Sequence, residues 1–237
     1  MKKKIKFILF IVFVVMIIAG TAIVTTQCNR KSNEEIKKEN EEYLQEGQEK
    51  YNNTVDIYLK SCEQSEDLRI QENIYTATVS VDEAVFSDKG FFSFLHNTLS
   101  TGKMNLYLDV NINFFYPNEK IIRNNNNQYG KLQINYDASN IFVELGEIST
   151  PYLDDGKRLD KVKLTEKGYI QILESTKGKA LQAANSADYI KSAEKSLIVS
   201  LLNEVKSYSI SELYLNNTYI KDINSINIDT FADEFVK

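Results

Sequence analysis

MNLYLDVNINFF, residues 104–115, alternates apolar and polar side chains as far as Phe114. Met104, Leu106, Leu108, Val110, Ile112 and Phe114 fall on one side of an extended chain. Asn105, Tyr107, Asp109, Asn111 and Asn113 fall on the other. Side chains in a strand alternate with period two, so this stretch predicts a strand with one buried and one wet face, the pattern of an antiparallel sheet. Upstream, Tyr75–Val81 (YTATVSV) repeats the alternation. Downstream, Leu132–Tyr136 and Ile141–Leu145 predict two shorter strands joined by Asp137, Ala138, Ser139 and Asn140, a run rich in turn formers. Asn124 to Asn127 reads as a polar loop. The segment GKMNLYLD at 102–109 matches GKLQINYD at 130–137 position by position. Two copies are too few for a solenoid, so they read as neighbouring strands, each introduced by a glycine.

Beyond the strands the period changes. Thr165 is placed to cap a helix whose apolar points are Tyr169, Ile172, Leu173, Thr176, Ala180 and Ala183, with Gly168 and Gly178 as weak points costing about 1 kcal/mol each against alanine. Asn185 or Ser186 starts another, with Asp188 in its first turn. Ile190, Ala193, Leu197, Ile198, Leu201, Leu202 and Val205 form a wide stripe on it, and Lys191, Glu194, Lys195 and Glu204 an opposite, solvated face. The tail from Ile210 to Ile228 predicts one or two closing strands and a frayed end.

The N-terminal part is of another kind. FILFIVFVVMIIAGTAIVTT, residues 7–26, carries no charge. As a helix rising 1.5 Å per residue it reaches roughly the 30 Å of a bilayer's hydrocarbon core. Lys2, Lys3, Lys4 and Lys6 precede it, which predicts a cytoplasmic N-terminus and an extracytoplasmic C-terminal domain. A cleaved secretory signal, with Gly20 and Ala22 before the cut, is the competing reading, and the length of the apolar run favours a retained anchor. Residues from Ser32 to about Arg69 predict a helix with few apolar points, first Ile36, Tyr43 and Leu44, then Tyr51, Val55, Tyr58 and Cys62 on one face. The first half reads as a solvated stalk, able to pair with a copy of itself, and the second half as docked on the domain. Three regions result: 1–26 the anchor, 27–70 the stalk and 71–237 an α+β domain. The expected fold is a transmembrane helix and a stalk helix, followed by a mainly antiparallel sheet packed against C-terminal helices.

Charge and composition narrow the function. The chain has 28 basic and 33 acidic residues, and its first 26 residues hold four lysines and no acid, so residues 27–237 stand at −9. A net-acidic domain repels nucleic acid and anionic lipid surfaces alike. Cys28 and Cys62 are too few for a disulfide framework, and positions far apart along one helix cannot be bridged. Gln27 stands where a lipidated Cys28 requires a small residue.

GKLQINYDASNIFVELGEISTPYLD, from Gly130 to Asp154, resembles the core signature of the family designated domain of unknown function 4230: a glycine-led strand ending in Asp, a short turn, a second strand, then a polar stretch. NSADYIKSAEKSLIVSLLNEV, from Asn185, resembles the helix that family places next, and the likeness spans about residues 70–215. Gly146 stands where the family usually has proline. The resemblance implies a membrane-anchored α+β domain and no particular activity.

Residues capable of chemistry are sparse. His96 is the single histidine, without a cysteine or second histidine near it in sequence to share zinc. Asp154, Asp155 and Asp160 around Gly156 offer oxygens but lack the spacing of a calcium loop. Asp109 and Asp137 occupy matching places in the repeated segment, and turn or sheet-surface roles suit both. Glu34/Glu35 and Glu41/Glu42 lie on the stalk, outside any desolvating pocket. Asn52 and Asn216 head N-x-T sequons, which matter only in a glycosylating secretory system. No phosphate loop, nucleophile elbow or dinucleotide fingerprint occurs. No catalytic, cofactor-binding or metal-ligating residue is therefore assigned. The expected function is a non-enzymatic, single-pass protein-interaction or assembly module. A small-ligand or lipid-binding domain, its pocket lined by Phe91, Phe92, Phe94, Phe114 and Phe115, is the alternative, and a carboxylate-based hydrolase a distant third.

Overall fold

The computed structural model of the chain describes residues 35–63, 65–87, 103–126, 131–154, 156, 158–159 and 163–236. The expected anchor at 7–26 lies outside them, and among the described residues no helix is long and apolar enough to cross a membrane. The chain divides into two compact units, Met1–Asn53 and Thr54–Lys237, with the division inside helix α1, residues 35–62. In the first unit, residues 35–53 are helical and almost wholly exposed, Ile36, Tyr43 and Leu44 included. Polar residues all round give this segment no core of its own.

In the second unit Val55, Tyr58 and Cys62 are buried, as their shared face predicts. The helix, expected to run to Arg69, ends at residue 62. Asn118 donates through Nδ2 to the carbonyls of Cys62 (2.9 Å) and Ser65 (3.2 Å), and Asp67 accepts from the Asn118 N–H. Helix-end carbonyls are left without intrahelical partners, and here a side chain far along the sequence satisfies one of them. The strand then starts at Leu68, seven residues before the expected Tyr75.

Strands β1 (Leu68–Val81), β2 (Met104–Tyr116) and β5 (Phe142–Ile148) form an antiparallel sheet in the order β1-β2-β5. β2 is its centre, and its six alternating apolar residues are buried. Helices α2 (Glu166–Ala184) and α3 (Ala187–Ser207) cover that face. Ile172 of α2 packs with Val79, Leu106 and Leu108, while Ala180 and Ala193 meet Val110, Ile112 and Phe114. Thr165 Oγ1 accepts from Gly168 N at 3.0 Å, the expected cap, and α2 runs unbroken through both glycines. Gly168 is there for proximity: a Cβ on it would sit 2.7 Å from the Val85 carbonyl oxygen.

A second sheet holds β3 (Ile122–Asn126), β4 (Lys131–Asn135), β6 (Leu213–Leu215) and β7 (Thr218–Ile220), in the order β3-β4-β6-β7. It is antiparallel except for the parallel pair β4–β6. The α+β class and the antiparallel sheet under C-terminal helices are as expected, but the strands divide between two sheets. The two repeated segments are not neighbours, since β2 belongs to one sheet and β4 to the other. Asn124 to Asn126 are strand rather than loop, paired with Gln133, Leu132 and Lys131. Asparagine disfavours strands, and the buried Leu132 and Ile134 of the partner strand supply the packing that overrides it. The tail also gains order. Asn216 and Asn217 both take positive φ (42° and 68°), as a two-residue hairpin of the β6–β7 kind requires. Helix α4 (Ile228–Phe235), capped by Asn227 through the Thr230 N–H, replaces the expected frayed end.

Candidate functional site

β3 turns its apolar Ile122 to solvent, 59% exposed, and its cation inward. The Arg123 side chain is 6% exposed. Its Nε donates to Tyr58 Oη (3.1 Å) and its Nη1 to Asn118 Oδ1 (2.8 Å). Its Nη2 finds no hydrogen-bond partner, with Glu204 Oε2 at 3.7 Å. Around the same carboxylate, Tyr58 Oη donates at 3.5 Å and Cys62 Sγ at 3.6 Å. Four pieces of chain thus converge: the end of α1, the turn Asn118–Lys120, β3 and the last turns of α3. A cleft of about 380 Å³ opens beside them, lined by Cys62, Ser65, Asn118, Glu119, Ile121 and Arg123 among others.

The electrostatics favour fastening over chemistry. Burial pushes the Tyr58 hydroxyl and the Cys62 thiol up, against the pull of the Arg123 guanidinium, and the Glu204 carboxylate adds to the rise. A thiol so placed stays protonated near neutrality, and the thiolate is the nucleophile. The cluster's strength lies in charge-assisted hydrogen bonds between elements. Sequence reading missed Arg123 because it sits in an asparagine-rich run. Glu204 belongs to the face of α3 that the sequence predicts as solvated, yet three of the four residues on that face are engaged: Glu204 here, Glu194 by Tyr136 Oη (3.0 Å) and Lys195 by Asp233 (2.7 Å).

Asp109 and Asp137 are not brought together. Asp109 lies on the outer face of β2, where its Oδ1 accepts from Thr76 Oγ1 (2.7 Å) and Tyr152 Oη (3.0 Å). Asp137 caps the turn Ala138–Asn140 through the Ser139 N–H (2.9 Å), which holds its carboxyl below the usual range. Both roles are those of sheet surface and turn. Phe114 is core, stacked on Tyr189, and Phe115 stacks on Phe142. Asn216 Oδ1 accepts from the Tyr136 N–H, and Asn52 Oδ1 from Gln48. His96, Phe91, Phe92, Phe94, Asp155, Asp160 and Cys28 lie outside the described residues. Among the described residues no carboxylate is buried, Cys62 is a free thiol, and no three His, Cys, Asp or Glu side chains gather for a metal.

Compared with known proteins, the chain matches no family model, no curated protein and no solved structure.

Proposed function

We propose that this chain is a single-pass membrane protein. Residues 7–26 anchor it with the N-terminus in the cytoplasm, and the α+β unit acts outside the cytoplasm as a non-enzymatic interaction module that assembles with copies of itself or with another protein. The observation that carries this reading is the stalk. Ile36, Tyr43 and Leu44 are 52%, 72% and 73% exposed on a stretch of α1, residues 35–50, that is otherwise polar. Ile36 and Tyr43 stand one heptad apart, as do Leu44 and the half-buried Tyr51. Two such rows make the seam of a helical pair, and a helix draws most of its stability from packing such an apolar face. The net charge of −9 beyond the anchor turns the unit away from nucleic acid and anionic lipid.

Chemical crosslinking in intact cells, followed by identification of what travels with the chain, tests the reading. Association is expected, and Tyr43→Glu with Leu44→Glu should abolish its self-associated part. A native chain that runs as a monomer with no companion would overturn it. Protease added to unbroken cells should digest the α+β unit, and its survival would remove the extracytoplasmic placement.

A further inference from the structure

In the order β1-β2-β5, β1 has a neighbour on one side only. The direction of its spare backbone groups follows from β2. Tyr107 exchanges both backbone hydrogen bonds with Tyr152 (2.9 Å each), and the Asp109 carbonyl accepts from Ser149 N, so both residues turn their polar backbone away from β1. Their register partners are Thr78 and Thr76. Opposed residues in an antiparallel pair either exchange both bonds or neither. Thr78 and Thr76, and by the two-residue alternation Ile74 and Glu72, therefore aim N–H and C=O outward. Thr78 O is taken by Lys179 Nζ. Among the described residues, nothing bonds the outward backbone from Glu72 to Thr76.

Beside this edge runs a groove. One cleft of about 290 Å³ lies between Gln71, Asn73 and Ile74 of β1 and Asp188, Tyr189 and Ser192 of α3. Ser192 also lines a second cleft of about 570 Å³, which continues between α3 and α4 past Asp229 and Asp233. The inner-face alternation that buries Ala77, Val79 and Val81 sets polar Gln71 and Asn73 at this end, where Gln71 bonds Ser192 (3.1 Å). Ile74 stands 69% exposed at the rim. Lys195 is paired with Asp233, while Asp188 and Asp229 have no ion pair among the described residues.

Proteins usually blunt a long strand edge, and an exposed one is a template for another strand. We propose that the outer edge of β1 from Glu72 to Thr76 receives an extended, basic segment of a partner protein, which joins the sheet as a fourth strand. Main-chain hydrogen bonds hold it, and every second side chain enters the groove, where Asp188 and Asp229 select positive charge. The inference rests on the reading of this unit as an interaction module, and it is tested at β1 alone, so failure of stalk association leaves it standing.

The test uses the full chain in phosphatidylcholine nanodiscs and a labelled eight-residue peptide alternating lysine and valine. Saturable binding is expected, at least about tenfold tighter than for the glutamate–valine counterpart. Hydrogen exchange at the amides of Ile74 and Thr76 should slow only when the peptide binds. Ile74→Pro deletes an outward N–H, which an edge strand tolerates, and should weaken binding about tenfold while the amides of Tyr75 and Ala77 stay protected. No binding, or binding that leaves Ile74 and Thr76 exchanging freely, overturns the proposal. So does full affinity in the folded proline variant; if that variant fails to fold, the exchange pattern of the natural chain decides. Protection of Ile74 and Thr76 that rises with protein concentration and needs no peptide also overturns it, since a second β1 then fills the edge.

Discussion

Arg123 shows how much one residue can hold when its position contradicts its chemistry. Its guanidinium serves the end of α1, the turn at Asn118 and the last turns of α3 together. Arg123→Ala leaves Tyr58, Asn118 and the partly exposed Glu204 without their shared cation, and losing hydrogen bonds made by a charged group costs about 2 kcal/mol. Urea unfolding of the α+β unit should show that loss. Arg123→Leu combined with Glu204→Leu should cost less than the sum of the single changes, because no charge is left unpaired. Equal costs summed without coupling would mean the 3.7 Å separation carries nothing. None of this was legible from the chain. An arginine before four asparagines reads as surface, and the partners that reverse the reading lie 65 residues before it at Tyr58 and well after it at Glu204.

Elements with a clean period were legible, and elements made by pairing were not. β2 and α3 carry unbroken apolar patterns, and both stand within a residue or two of their expected bounds. β3 carries no such pattern, and α4, though Ile228, Phe231, Ala232 and Phe235 recur at helical spacing, is only eight residues long. β3 exists because β4 lies beside it, and α4 because Asn227 caps a tail packed on α3. The two glycines of α2 separate the causes further. At Gly178 a Cβ would meet nothing within 4 Å, so Gly178→Ala should raise stability by about 1 kcal/mol. At Gly168 a Cβ would lie 2.7 Å from the Val85 oxygen and 2.9 Å from its Cα, so the same change should lower stability despite the better helix former. Thermal unfolding of the two variants distinguishes them by sign. Sequence alone gave both glycines the same cost, because it does not show what lies across the gap.

At the scale of the second unit, the sheets differ in how far apart along the chain their strands lie. β1, β2 and β5 all lie between Leu68 and Ile148, whereas β4 waits for β6, which pairs with it in parallel from about 80 residues away. Glu212, one residue before β6, is bound by Lys131 of β4 and by Tyr219 Oη of β7 (2.5 Å). Burial works to raise the Glu212 carboxyl, but the bonds from Lys131 and Tyr219 prevail and hold it below its ordinary 4.5. A carboxyl lowered in the folded state stabilises fully above the unfolded value, and that gain is lost as pH falls through the folded one. The natural chain should therefore outlast Glu212→Gln in urea at pH 7, and the gap should close below pH 4.5 as the folded value is passed. An unchanged gap in acid would show that the ion pair does not link the strands energetically.

The parallel pair has a further consequence during synthesis. Until residues 213–220 have emerged, β3 and β4 are a two-stranded ribbon whose β4 edge has no neighbouring strand, and such ribbons barely hold in water. A nascent chain halted after Tyr208 would carry a finished first sheet beside a sticky, half-built second one. Any quality-control protease that samples unfinished products would find its opening there.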